Sequence, residues 1–332
     1  MLCAMLFQFS RWLLFPALLL FVADTQAQTN DPAVVTNAKE NYFATPNLEY
    51  PAAVSEINGK LDYSGGNMNS AEGHNFSGSI TLPVAKQFGF QADALYSRIS
   101  GADFFGGAGH FFWRNPDLGL LGLTGGYLHR DGVETFQFGA EAEAYWKRFT
   151  FGFFGGAGSI KYSQTVPFID TNPTRFVGRL SASYYPVDNL RVGVSFTTAF
   201  RDNLAKGEIE YQTPINGLAL TGEVAKGNNG YDHLLFGVRY YFGGNKTLRN
   251  RQRQDDPPGL MPQILHSLGV YGAEYNRKGN AYVAAHPISN PGSGNSGGGN
   301  YGYYGISAGG NYGVILTSLT VIPPPPIPQT FP

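Results

Sequence analysis

The chain has 332 residues with 23 Lys and Arg against 24 Asp and Glu, so no bulk charge field marks it as a nucleic-acid binder. Its 44 Gly, 20 Tyr and 25 Phe beside only 14% charged residues are unusual for a soluble globule and suit strands whose outer face meets lipid. Beyond the N-terminus no stretch approaches the roughly 20 apolar residues of a spanning helix, which excludes a helical membrane protein.

At the start, Arg11 precedes the apolar run Trp12 to Val22, and Thr25 and Ala27 are placed to serve a signal-peptidase site before Gln28. Residues 1–27 therefore read as a cleavable signal peptide, since the run is far below the roughly 20 residues of an anchor. The single cysteine, Cys3, lies inside it, and a mature chain without thiols suits an oxidising periplasm. Residues 28–53 are polar and proline-punctuated, a short periplasmic lead-in.

From 54 to 243 apolar and polar residues alternate with period two, in segments of roughly ten, about the length of a tilted membrane-spanning strand. Leu190, Val192, Val194, Phe196 and Phe200 alternate with Arg191, Gly193, Ser195 and Thr197. Reading each segment this way predicts about twelve strands, at 54–63, 75–84, 88–99, 103–113, 119–130, 134–146, 149–162, 175–185, 190–200, 203–212, 217–226 and 231–242. An even count closes an antiparallel barrel with both of its ends on one side. Tight turns such as Pro186-Val187-Asp188-Asn189 and Pro214-Ile215-Asn216-Gly217 interleave with two longer connections, Ser64 to His74 and Ser163 to Thr174, as short periplasmic turns interleave with external loops. Phe88, Trp113, Trp146, Tyr184, Tyr211, Tyr240 and Phe242 gather beside the short turns as an aromatic girdle. The predicted fold is all-β, a closed antiparallel transmembrane barrel of about twelve strands with a flexible C-terminal extension.

The last strand, Leu235-Phe236-Gly237-Val238-Arg239-Tyr240-Tyr241-Phe242, resembles the terminal β-signal of outer-membrane proteins, with Gly237, Tyr240 and Phe242 at its characteristic places and Leu235 where a polar residue is usual. Residues 54–242 are in this respect similar to porin-like outer-membrane barrels. The resemblance implies outer-membrane lipids and the barrel-assembly machinery as partners, and barrel ends facing the periplasm. Residues 244–332 follow the signal, where most such barrels stop. They contain the basic run Arg249 to Arg253, the breaker Asp255-Asp256-Pro257-Pro258, and an apolar patch Leu260 to Leu268 fit for one or two helical turns. A Gly/Ser/Asn tract from Asn290 to Gly313, a candidate strand Val314 to Val321 and four closing prolines complete the chain. This part reads as a low-complexity periplasmic tail, a plug for the lumen, or a tether to a periplasmic partner.

Strand parity turns a charged set inward, because a lipid-facing Arg or Lys near mid-membrane costs roughly 2–4 kcal/mol. The set comprises Glu56, Lys60, Asp62, the polar Gln91, Asp93, His110, Arg130 and Lys206, and above all Glu141, Glu143, Arg179, Arg191, Glu208, Glu210, Glu223 and Arg239. Arg179 and Arg191 on neighbouring strands, and Glu208, Glu210 and Glu223 on the next two, form either opposed walls across a hydrated pore or a paired network filling a narrow interior.

Enzymatic readings find little. Outer-membrane phospholipase A, another twelve-stranded barrel, carries its histidine and serine two residues apart on one lipid-facing strand surface. Here His74 and Ser77 are three apart and point to opposite faces of a regular strand. The six histidines show no metal-ligand spacing, so neither a metal site nor a cofactor is expected. Phe-Gly-Gly-Ala-Gly occurs at 105–109 and 154–158 without the Gly-Lys-Ser/Thr of a phosphate loop, and reads, like Gly125-Gly126, as small residues that let the wall bend or a loop pack closely. The expected function is a passive or weakly selective channel for small polar solutes. The rivals are a closed barrel that anchors or displays and, behind it, a lipid hydrolase.

Overall fold

The computed structural model describes residues 51–285. The expected signal peptide, nearly all of the expected lead-in, the Gly/Ser/Asn tract, the candidate strand 314–321 and the closing prolines lie outside the described residues.

Twelve strands form, in chain order β1 (Asn58–Met68), β2 (Ala71–Ala85), β3 (Phe88–Ile99), β4 (Ala102–Asn115), β5 (Gly119–Arg130), β6 (Val133–Trp146), β7 (Phe149–Tyr162), β8 (Thr174–Val187), β9 (Leu190–Ala199), β10 (Asp202–Gln212), β11 (Leu218–Gly227) and β12 (Asp232–Phe242). Each pairs antiparallel with its neighbours in sequence, and β12 pairs with β1 to close the barrel. Closure leaves no sheet edge with unpaired backbone groups, the condition for strands in lipid. The seam is in register from Gly59↔Phe242 through Ser64↔Gly237 to Met68↔His233. It also explains the glycine of the β-signal: a Cβ on Gly237 would run into the Tyr63 carbonyl oxygen across the seam and come within 2.7 Å of Thr221 Oγ1.

The outer face is apolar. Along β9, Val192, Val194 and Phe196 are 43%, 60% and 50% exposed, while Ser195 and Thr197 beside them are buried inward. So much exposed aliphatic and aromatic surface is unfavourable in water and matches a hydrocarbon belt. Phe88, Trp146, Tyr184, Tyr211, Tyr240 and Phe242 ring the mouth where β1 begins and β12 ends, called proximal below. On the other side Tyr63, Phe76, Tyr96 and Phe105 form a continuous row of rings 4.7–6.3 Å apart.

Two sequence expectations change here. β1 begins at Asn58 rather than 54, and Ala53 and Val54 are instead buried against Phe112 and Leu120 at the proximal mouth. Ser64 to His74 is not a loop: β1 and β2 run on to Met68 and Ala71, joined by Asn69-Ser70 with φ of 54° and 66°. Such a left-handed pair matches the strand twist of a tight hairpin, and its polar residues had imitated a loop. Of the two long connections only residues 163–173 remain one.

The chain beyond β12 turns back into the lumen. It forms α1 (Leu248–Asn250), one π-helical turn (Arg251–Asp255), a break at Pro257-Pro258, and α2 (Met261–Ala285). Thr247 caps α1 by accepting from Asn250 N. At roughly 1.5 Å per residue, 25 residues extend about 37 Å, long enough to run from mid-lumen out of the distal mouth. The far end of α2 accordingly touches distal elements: Tyr275 stacks on Tyr162 at 5.1 Å, Tyr282 meets Phe168 of the 163–173 loop at 5.6 Å, and Arg277 donates to Asn229 in the turn before β12. Residues 244–285 thus pack against the inner wall of the barrel, and are called the plug below. The one or two turns expected at 260–268 continue to Ala285: the helix is buried by the barrel wall as far as about Asn276, and beyond that it touches Phe168 and Asn229 of the distal connections.

Candidate functional site

The lumen has three layers. At the proximal mouth, the basic run that interrupted the sequence pattern fastens the plug to the strand turns. Arg253 donates to the Lys147 and Phe149 carbonyls and to Thr150 Oγ1, Arg249 pairs with Asp188 at 3.2 Å, and Arg251 donates to the Gly244 carbonyl at 2.7 Å. Asp255 accepts from Ser55 and pairs with Lys246 at 2.5 Å, while Asp256 pairs with buried Lys60 at 2.6 Å.

The middle layer holds the charges selected by strand parity, and the ladder register decides how they meet. Arg191 lies opposite Glu210, Asp62 opposite Arg239, and Glu208 opposite Glu223. The first two are cross-strand ion pairs; the third is a like-charge pair that Lys206 bridges, 2.7 Å from Glu208 and 2.8 Å from Glu223. Glu210, fully buried, accepts from Arg239 at 2.9 Å, Tyr241 Oη at 2.6 Å and Gln252 at 2.9 Å. On the other wall His110 sits between Asp93 and Glu141, 3.0 Å from each, and Arg114 faces Glu143 at 4.0 Å. Acids and bases therefore interleave, so the opposed acidic and basic walls expected as one alternative do not form. The barrel's own strands bring all eight predicted lumen charges into this layer; Glu56, counted with them, instead stands exposed outside β1, accepting from Gly244 N.

One basic group stays apart. Arg179 makes no hydrogen bond or ion pair among the described residues and faces a polar cavity of about 170 Å³, shared with Glu143, Thr150, Ser181, Ser183 and Arg191. Arg191 Nε and Ser195 Oγ, also on its wall, lack hydrogen-bond partners. At about 10–15 Å³ of such volume per water, the cavity has room for on the order of ten.

The distal layer is apolar. Leu260, Met261, Ile264, Leu265 and Leu268 of the plug are buried among Met68, Ile99, Phe104, Leu128, Val177 and Phe200 of the wall. The glycine-rich segments serve this contact. A Cβ on Gly106 would collide with Met261 Cε of the plug, and one on Gly126 would come within 2.8 Å of Ile264 Cδ1.

Where collar and charges meet, Glu223 of β11, His233 of β12 and His266 of α2 converge, their ligand atoms within 4.8 Å of one another. Sequence spacing had no means of finding this group, because its members are 10 and 33 residues apart and one of them comes from the plug. His74 and Ser77, by contrast, are split across the wall: His74 bonds Tyr63 Oη on the outer face, and Ser77 faces the lumen.

No family model matches the sequence, and no curated protein is similar to it. The solved structures that it is similar to are outer-membrane barrels. They include the KdgM porin in complex with disordered oligogalacturonate (11% identity over 55% of this chain and 99% of that one, TM-score 0.44). An outer membrane channel from Pseudomonas putida F1 (13%, 59% and 98%, 0.40) and the outer membrane protein Omp33 of Acinetobacter baumannii (15%, 56% and 96%, 0.35) are further examples.

Proposed function

We propose that this protein is a porin-like barrel of the bacterial outer membrane whose charged lumen admits small polar solutes and is held shut, in the state seen, by residues 244–285. The outer-membrane placement is supported by a closed strand ladder wrapped in apolar surface between aromatic rows. Both ends of the barrel face the periplasm in this reading, and α2 then delivers Ala285 to the outer mouth. The assembly machinery reads Gly237, Tyr240 and Phe242.

The observation that carries the channel reading is the polar cavity beside the plug, with Arg179 unpaired and donors of Arg191 and Ser195 unused. A lumen built only to be filled leaves few such groups, because each buried unsatisfied one costs roughly 1–3 kcal/mol. A second reading, a closed barrel that anchors or displays, is favoured by the apolar collar around α2. Planar-bilayer recordings separate them. The full chain should be mostly closed, and a chain ending at Gly243, still heat-modifiable on gels, should conduct steadily. A truncated barrel that folds yet passes no current would leave the anchor reading standing.

A further inference from the structure

Glu223, His233 and His266 are not positioned like an ordinary ion-pair cluster. His233 Nε2 and Glu223 Oε1 lie 2.7 Å apart, at ion-pair distance but not aligned as a hydrogen bond, and the His233 side chain is wholly buried. His266 Nε2 reaches the same oxygen at 3.3 Å, and the two imidazole rings are 4.4 Å apart between centroids. Three potential lone-pair donors thus crowd one point. Their surroundings leave those lone pairs free. In the tautomer whose Nδ1–H donates to the Tyr231 hydroxyl oxygen, 3.0 Å away, His233 keeps its Nε2 lone pair for a metal, and the other carboxylate oxygen of Glu223 accepts from Lys206 at 2.8 Å.

The geometry points to a zinc site of two imidazoles and one carboxylate, with His266 of the plug and Glu223 and His233 of the wall as ligands. Two nitrogens and one oxygen are a borderline-soft donor set that suits zinc better than the oxygen-only preferences of calcium or magnesium. Ligand-to-metal distances near 2.0–2.2 Å put ligand atoms roughly 3.3 Å apart, so the observed spacing needs only small side-chain adjustment. Tyr231 holds the His233 ring by the hydrogen bond that metal-bound imidazoles characteristically make through their second nitrogen. A fourth position is open to water: Glu223 and His266 line a cavity of about 100 Å³, and Glu223 also borders the larger polar one, which gives the ion a route in. Among the seven groups of the adjoining ion-pair network, the four carboxylates Asp62, Glu208, Glu210 and Glu223 face the three cations Arg191, Lys206 and Arg239. The surplus charge is negative, as a cation requires. Because the ligands come from two separate parts of the chain, zinc binding and plug docking are one linked equilibrium.

The test uses the full chain in detergent, stripped with chelator and then offered zinc chloride alone. One equivalent of zinc should remain after gel filtration, cobalt in its place should give visible absorption bands of a low-coordinate nitrogen–oxygen site, and zinc should raise the thermal midpoint. His266→Ala and His233→Ala should each lower zinc affinity by more than about 100-fold while remaining heat-modifiable barrels, and Tyr231→Phe by about 10-fold. His129→Ala, on the outer wall, should change nothing. Failure of the wild-type chain to retain zinc overturns the proposal, as does retention that His266→Ala and His233→Ala leave intact. Neither result bears on whether the truncated barrel conducts.

Discussion

The two halves of the lumen are built on the same strands yet filled by opposite means. Distally, the wall and α2 meet chiefly through Met68, Ile99, Phe104, Leu128 and Phe200 against Met261, Ile264, Leu265 and Leu268, with a few polar groups such as Gln263 and Ser267 among them. Proximally and in the middle, ion pairs and charged hydrogen bonds dominate beside two small apolar clusters, and a cavity remains. Apolar burial is non-directional and contributes roughly 1.5–3 kcal/mol for each fully buried aliphatic side chain, so the distal collar is what retains the plug. Buried ion pairs yield little net stability once desolvation is counted, but they fix geometry. The distal half therefore holds the segment in, and the proximal half sets what the lumen looks like to a solute.

The strongest way to break that division is to put charge into the collar. Ile264→Asp removes an aliphatic side chain with no exposure and buries a carboxylate among Met68, Leu128 and Phe104, costing the docked state at least about 5 kcal/mol. The helix should leave the lumen while the strand ladder persists, giving open-channel current and new protease cleavage between Gly259 and Ala285. A chain that stays closed and resistant would show that the collar is not the retaining element. Next in size, Glu210→Ala strips the acceptor shared by Arg239, Arg191, Tyr241 and Gln252 and should lower unfolding stability by about 3–5 kcal/mol, with Glu210→Gln losing less. If the proximal half only shapes the lumen, neither variant should release the plug.

The period-two pattern made the barrel legible, because lipid outside and polar groups inside impose opposite requirements on successive residues of every strand. The same parity picked out Glu141, Glu143, Arg179, Arg191, Glu208, Glu210, Glu223 and Arg239 as inward residues. Their pairing was not legible, since it depends on register: a shift of one residue would part Arg191 from Glu210. The plug was harder still. Ser267, Gly269, Gly272, Asn276 and Gly279 dilute the apolar pattern of α2, and a helix enclosed all round shows no solvent face to the sequence reader. Gly106 and Gly126 were legible as close-contact positions, but their partners are the helix residues Met261 and Ile264 where a loop was expected.

Those glycines offer a smaller perturbation. Gly126→Ala places a methyl 2.8 Å from both Ile264 Cδ1 and Ala108 Cβ, and should cost about 1–3 kcal/mol by overpacking. Trimming the partner should return part of it: Gly126→Ala with Ile264→Val is expected to be more stable than the sum of the two single changes by at least about 0.5 kcal/mol. Strict additivity in denaturant midpoints would mean that helix and wall do not press on each other there.

The smallest expected change in stability belongs to Arg179, and it sharpens the comparison most. Every other Arg or Lys of the middle layer named above has a carboxylate within 4.0 Å, so its removal strands a partner; Arg179 strands none, and Arg179→Gln should change the unfolding free energy by less than about 1 kcal/mol. Its charge nevertheless faces the cavity. In the chain ending at Gly243, where the path is open, losing that positive potential should raise cation selectivity, read as a shift in reversal potential under a salt gradient. The shift should shrink in concentrated salt, as the screening length falls from about 10 Å at 0.1 M to about 3 Å at 1 M. Arg239→Gln in the same background should lose stability as well, since Asp62 and Glu210 are left behind. An Arg179→Gln barrel with unchanged selectivity would mean that solutes do not pass this wall, and the cavity would then be packing space and not a path.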